Sequence, residues 1–314
     1  MTKEDICYFP QILFVANKQH PLLEFYNCEV AILEIQTVNF DNSGMYRCAI
    51  KSGRYTVPMH IHQCSEVIIV TEGELYGNVC GEERVLREGD AAVISPFAEH
   101  SFYAKGGVCF WLCVFSNGMI TPVFSNDEIY STRSSAFFSL SRELYGFLKN
   151  RLPDSDEEMI PFNYERQRRM LAVLLPVFDE YFAATYVTAM AKPKKSLLSE
   201  ILIYLDMHYA EPLTIHTVSK ALGYTPRHIS RQLAPLHEYN FRTLLNLFRV
   251  ERAKIKLRQS NAKIIDVSLE CGFVSERSFF RSFIKSEGIT PNEYRKAVKE
   301  MGRYYMYSEK KPLM

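Results

Sequence analysis

The chain has 314 residues, 47% of them apolar, which is enough to bury a full core and, by length, to make two domains. No apolar run approaches the ~18 residues of a membrane span, and the opening MTKEDICYFPQILFVANK lacks the basic start, apolar centre and small cleavage residues of a signal peptide. A cytoplasmic protein with no membrane partner is therefore expected. The net charge of +1 hides an asymmetry, because residues 1–191 carry 15 Lys and Arg against 24 Asp and Glu, while residues 192–314 carry 22 against 12. A front of about −9 and a back of about +10 point to a basic, polyanion-facing module behind an acidic one. Seven of the eight cysteines lie in the front half, none in CxxC spacing. Reduced structural thiols fit that pattern better than a zinc site or a disulfide framework; Cys64, beside a histidine pair, stays open.

From about residue 30 to 115 the sequence runs in short apolar or alternating stretches broken by turns, among them EVIIVTEG, ELYGNVCGEE, RVLREGDAAVIS and GVCFWLCVF. This spacing predicts an all-β sandwich or barrel. Inside it, PMHIHQCSEVIIVTEG sets His60 and His62 one residue apart and Glu66 four further on. Histidines two apart on a strand point to the same face, as a shared ligand or a metal requires. They also fit core residues that only satisfy hydrogen bonds. A pocket lined from alternate strand positions would draw on His60, His62, Glu66, His100 and the sole tryptophan, Trp111, whose face suits stacking by a sugar or another polar small effector.

After residue 124 the period changes. Phe137, Leu140, Leu144, Phe147 and Leu148 fall at helical spacing, and so do Met170, Leu174, Val177 and Tyr181. The second of these segments has an apolar face too broad for an isolated helix, so it packs on the barrel, on its neighbour or on a second copy; a homodimer contact is expected, with a kink at Pro176. AKPKKS, residues 191–196, reads as a linker. The expected organisation is residues 1–125 as a barrel, 126–190 as a helical dimerisation segment, 191–196 as the linker and 197–314 as an all-α domain.

The back half repeats itself. VSKALGYTPRHISRQL, from Val218, returns as VSLECGFVSERSFFRSF, from Val267. Each copy has a small residue (Ser219, Ser268) four positions before a glycine (Gly223, Gly272), then an aromatic, a capping hydroxyl (Thr225, Ser275) and a second helix. A small residue where helices cross and a glycine in the tight turn are what a helix-turn-helix needs. At about 100° per residue, Ile229 and Leu233 point inward while Arg227 and Arg231 point away. In the second copy Phe279 and Phe283 are inward, with Arg277 and Arg281 out. Arginine suits both guanine edges and phosphate, so these pairs mark two reading faces for double-stranded DNA. FRTLLNLFRVERAKIKLRQ between the copies predicts one long helix whose Arg249, Arg252, Lys254, Lys256 and Arg258 are candidates for phosphate contacts.

Residues from about 197 to 299 resemble the DNA-binding domain of AraC/XylS-type transcription regulators, through RVERAKIKL and CGFVSERSFFRSFIKSEGITPNEYRK. The resemblance implies tandem helix-turn-helix units on promoter DNA, with RNA polymerase as a further partner and activation as the usual mode. It carries DNA contact onto Arg227, Ser230 and Arg231, and onto Glu276, Arg277 and Arg281. Two positions depart from the family pattern: Pro235 should shorten the first reading helix, and Phe280 stands where a polar contact is common, facing either a thymine methyl or the core. In the front half, residues 53–73 and GDAAVISPFAEH resemble the two cupin motifs. That likeness places metal ligands on His60, His62, Glu66 and His100, a set suited to a divalent transition metal. Two functions stay open: a regulator controlled by a small polar effector bound in the cupin-like barrel, and a metal sensor or metal-dependent cupin enzyme fused to a DNA-binding domain.

Overall fold

The computed structural model describes residues 34–36, 44–50, 55–115, 120, 122–130, 134–150, 164–185, 196–234, 236 and 240–308. Residues 191–195 of the expected 191–196 linker, Gly53 and Pro235 lie outside the described residues. The chain divides into two compact units, residues 1–199 and 200–314.

Among the described residues the first unit has ten strands: β1 (Glu34–Gln36), β2 (Gly44–Ile50), β3 (Tyr55–His62), β4 (Ser65–Gly73), β5 (Leu75–Val79), β6 (Glu82–Leu86), β7 (Asp90–Ile94), β8 (His100–Ala104), β9 (Val108–Phe115) and β10 (Phe137–Ser139). They form two five-stranded sheets, ordered β1-β3-β8-β5-β6 and β10-β7-β4-β9-β2. Strands β4 and β9 read as continuous apolar runs because both of their faces are covered. Ile68, Val70, Phe110 and Leu112 join one buried cluster with Leu75, Leu86 and Phe102 from the other sheet. Their neighbours Val67, Ile69, Trp111 and Cys113 join a second cluster with residues from the helices that follow.

Those helices are α1 (Asn126–Tyr130), α2 (Arg142–Lys149) and α3 (Tyr164–Ala184). Helical spacing over 137–148 overstated the reach of α2: Phe137 to Ser139 is a strand paired antiparallel with β7. Successive residues of a strand face opposite ways, and Phe137 enters the inner cluster while Phe138 enters the outer one. The helix starts only at Ser141, whose hydroxyl accepts from the Leu144 amide. The apolar face of α3 packs on the sheet: Met170, Leu174, Val177 and Phe178 are buried in the outer cluster with Val67, Ile69 and Trp111. Two of the three partners open to that face lie within the chain, the barrel and the neighbouring α2 through Leu144 and Leu148, and residues 126–185, where described, fall in the first unit.

The second unit is helical: α4 (Leu197–His208, most of which lies in it), α5 (Ile215–Leu222), α6 (Pro226–Leu233), α7 (Phe241–Gln259), α8 (Ile264–Glu270), α9 (Glu276–Glu287) and α10 (Pro291–Ser308). Each repeat folds as a helix pair. Ser219 and Ser268 are buried at corresponding places, and the amides of Tyr224 and Phe273 donate to their backbone carbonyls at 2.8 and 3.0 Å. Thr225 and Ser275 cap α6 and α9 by accepting from the amides of His228 and Ser278. Helix α6 has 8 residues against 12 for α9, as expected of a helix with a proline just beyond it. None of the described helices is long and apolar enough to cross a membrane.

Candidate functional sites

The histidine site is assembled from both sheets. Strands β3 and β8 are paired so that His60 lies directly opposite His100, and His62 follows on the same face of β3. The chain then turns through Gln63 and Cys64 into β4 of the opposite sheet, which delivers Glu66. The three imidazoles each offer a ring nitrogen within 4.8 Å of the others. Glu66 Oε2 lies 3.1 Å from His62 Nε2 and 3.8 Å from His100 Nε2. All four side chains are buried, His100 completely.

The second nitrogen of each ring fixes what the cluster can bind. His60 Nδ1 donates to the Pro58 carbonyl at 2.9 Å, His62 Nδ1 to the Cys64 carbonyl at 3.0 Å and His100 Nδ1 to the Ala98 carbonyl at 2.8 Å. A carbonyl only accepts, so each Nδ1 carries a proton and Nε2 is the ring nitrogen left to face the cluster. Burial, together with the neighbouring His100 and His62, pushes His60 down to about 3, so it is neutral. Burial pushes the Glu66 carboxyl up, but the facing His100 and His62 outweigh it and hold the group well below the usual carboxylate range. The Glu66 carboxylate is hydrogen-bonded to His62 Nε2 at 3.1 Å, and His100 Nε2 is buried with no hydrogen-bond partner among the described residues. A three-nitrogen, one-oxygen set held by backbone carbonyls fits a first-row divalent ion.

Trp111 is not part of this group. It belongs to the outward set of β9 and packs with Val67, Ile69 and the α3 residues, whereas the inward set (Phe110, Leu112, Val114) shares the interior with Ile68 and Ile94. Alternation along one strand separates it from the histidines, so the expected aromatic platform is core. The carbonyls that orient the rings had no trace in the residue types, since any residue supplies a carbonyl.

In the second unit Arg227, Ser230 and Arg231 on α6, and Glu276, Arg277 and Arg281 on α9, are all exposed. Ile229 and Leu233, and Phe279 and Phe283, are buried beneath them. Phe280 is half-buried against the core cluster of Phe279, Phe283 and Tyr294. Arg242 of α7 is exposed, but the other five cations of the helix are used internally. Arg249 is buried and donates at 2.8 Å to the carbonyls of Tyr209 and Glu211. Arg252 meets Asp206 at 2.6 Å, and Lys254 lies between Glu251 and Glu287 at 2.9 and 3.1 Å. Lys256 pairs with Glu270 at 2.5 Å, and Arg258 donates to the Tyr294 hydroxyl. These side chains join α7 to its neighbours instead of forming the phosphate-contacting row expected from the sequence.

Residues 46–115 match the cupin domain family and residues 218–297 match a helix-turn-helix domain family of the AraC type. The chain thus carries a cupin domain followed by a helix-turn-helix domain of the AraC type. An HTH-type transcriptional regulator of Staphylococcus aureus (strain MRSA252) is 28% identical over 129 residues, 41% of this chain and 17% of the relative. YijO, an HTH-type transcriptional regulator of Escherichia coli (strain K12), is 30% identical over 142 residues, 45% of this chain and 50% of its own. The match thus spans half or less of these curated relatives. Among solved structures, ToxT from Vibrio cholerae is 12% identical, covering 81% of this chain and 97% of its own, with a TM-score of 0.37. The C-terminal domain of AraT, a response regulator from Geobacillus stearothermophilus, is 23% identical, covering 35% of this chain and 88% of its own, with a TM-score of 0.31.

Proposed function

We propose that the chain is a cytoplasmic, sequence-specific transcription regulator of promoter DNA, not an enzyme, and that its cupin domain senses a divalent transition metal through His60, His62, Glu66 and His100. The observation that carries the sensor reading is the set of three Nδ1-to-carbonyl hydrogen bonds, which leaves three Nε2 atoms facing the cluster beside Glu66, that of His100 buried and unpartnered among the described residues. A divalent ion, when bound, would take these ring nitrogens and the Glu66 carboxylate as ligands in place of the His62–Glu66 hydrogen bond. The chain's own residues do the positioning: the carbonyls of Pro58, Cys64 and Ala98 lock the rings, and Glu66 reaches across from the other sheet. Occupancy would therefore draw the two sheets together. An ion regulates only by binding one arrangement of the protein better than another, and a site divided between two sheets is sensitive to their separation. Arg227, Ser230, Arg231, Glu276, Arg277 and Arg281 form the reading faces, with RNA polymerase as the further partner of an activator.

A sugar or other polar organic effector is the second reading, and it keeps the histidines as pocket wall while losing Trp111 as its stacking surface. Elemental analysis of the dialysed, purified chain separates the two. About one transition metal per chain, lost on His62→Ala with DNA binding retained, is expected. A metal-free protein that still binds a selected DNA duplex would return the site to an organic effector, and steady turnover of an organic substrate dependent on His60 would make the chain a metal-dependent cupin enzyme.

A further inference from the structure

The two helix-turn-helix units differ by one residue, and the extra residue has no role in the fold. The equivalences are fixed by hydrogen bonds: the Tyr224 amide donates to Ser219 as the Phe273 amide donates to Ser268, and Thr225 caps α6 as Ser275 caps α9. In the first unit the cap follows the aromatic directly. In the second, Val274 stands between them. Phe273 on one side is buried in the core and Ser275 on the other accepts from the Ser278 amide, so Val274 is held between two anchored neighbours. Its own exposure is 94%, the highest of the exposed large hydrophobic residues described.

A fixed, fully wet valine contributes nothing to burial, and it stands immediately before the N-terminus of α9, where Glu276 and Arg277 are also exposed. The N-terminal residues of the second helix are the ones that meet base edges in a docked helix-turn-helix. The apolar feature of the major groove is the C5 methyl of thymine. We propose that Val274 is a specificity-determining residue that reads a thymine methyl beside the bases addressed by Glu276 and Arg277. This rests on the DNA-reading function proposed above. The nearby exposed Ile265 and Leu269 of α8 offer an alternative in which Val274 belongs to a protein-binding patch, but its continuity with the charged reading face, on a unit of strongly positive composition, favours DNA.

The test is selection of duplexes from a random pool by the full chain, followed by titration with the selected duplex carrying deoxyuridine in place of each enriched thymine in turn. At one thymine, removal of the methyl group alone should weaken binding by about fourfold, the worth of one buried methyl-sized group. V274S should bind the two duplexes equally, V274I should keep the discrimination, and both should melt as the unsubstituted chain does because the side chain is exposed. Full thymine discrimination by V274S, or the absence of any discriminated thymine in the unsubstituted chain, would overturn the assignment to DNA. Loss of RNA polymerase capture by V274S with its duplex preference intact would overturn it in favour of the protein patch. If the unsubstituted chain enriched no sequence at all, the DNA-reading function itself would fail.

Discussion

Gly223 and Gly272 occupy matched turns in nearly the same backbone conformation, with φ of +76° and +81°. Their surroundings differ. A Cβ on Gly223 meets nothing within 4 Å, whereas one on Gly272 would lie 2.6 Å from the Ala210 carbonyl oxygen and 2.8 Å from its Cα. Gly223→Ala therefore carries only the cost of a side chain in left-handed backbone, roughly 1–2 kcal/mol. Gly272→Ala adds a collision with backbone at the end of α4 that no rotamer relieves, about 1–3 kcal/mol more. The chain supplies its own control, because its sole tryptophan, Trp111, lies in the first unit. Urea unfolding followed by helical circular dichroism should show the larger loss for Gly272→Ala, while the Trp111 fluorescence transition stays in place for both variants. Equal losses, or a milder one at Gly272, would refute the close approach of the second turn to Ala210.

Lys254→Met would leave Glu251 and Glu287 without the cation between them, and truncating one partner of a buried ionic group costs about 3–5 kcal/mol. Burial already pushes the Glu251 carboxyl up; a carboxyl raised on folding binds more protons folded than unfolded, so the variant's stability should fall as pH rises from 5 to 8, and equal urea midpoints at the two pH values would count against it. Leu174→Ala should cost the first unit about 2–5 kcal/mol, read by Trp111 in the same cluster. The loss should be independent of protein concentration; dependence on it would make α3 a seam between copies. Arg281→Ala should lower the salt slope of DNA binding by about one, and Lys256→Ala, already paired with Glu270, should leave it unchanged.

Much of the fold was legible because repetition and alternation are written in residue types. Two matched helix-turn-helix units follow from Ser219, Gly223 and Thr225 recurring as Ser268, Gly272 and Ser275, and the barrel follows from short apolar runs at regular spacing. Apolar character alone misled where both faces of an element are covered. Phe137 and Leu140 fit a helical period only because a strand packed on both sides also places apolar residues at successive positions. Trp111 was assigned to the wrong face for the same reason, since in GVCFWLCVF every position is apolar and no polar neighbour marks which face is inside. The histidine cluster was legible as a set, but its tautomers were not: they depend on the carbonyls of Pro58, Cys64 and Ala98, which only the folded backbone brings within hydrogen-bond reach.

Charge shows the same limit from the other side. The surplus of cations behind residue 191 is real in composition, yet Arg249, Arg252, Lys254, Lys256 and Arg258 on α7 are all bound to carboxylates, carbonyls or a tyrosine hydroxyl within the unit. A helix packed between two others presents little wet surface, and a long cationic side chain there reaches the nearest internal acceptor. The positive surface open to a polyanion falls instead on α6 and α9, where Arg227, Arg231, Arg277 and Arg281 are exposed above buried Ile229, Leu233, Phe279 and Phe283. One of the cations tethered inward on α7, Lys254, holds α9 through Glu287, and the neutral Asn246 adds a hydrogen bond to Ser282. Cations of one composition divide into those that build the unit and those that can leave it, and burial of the helix beneath, not residue type, decides which is which.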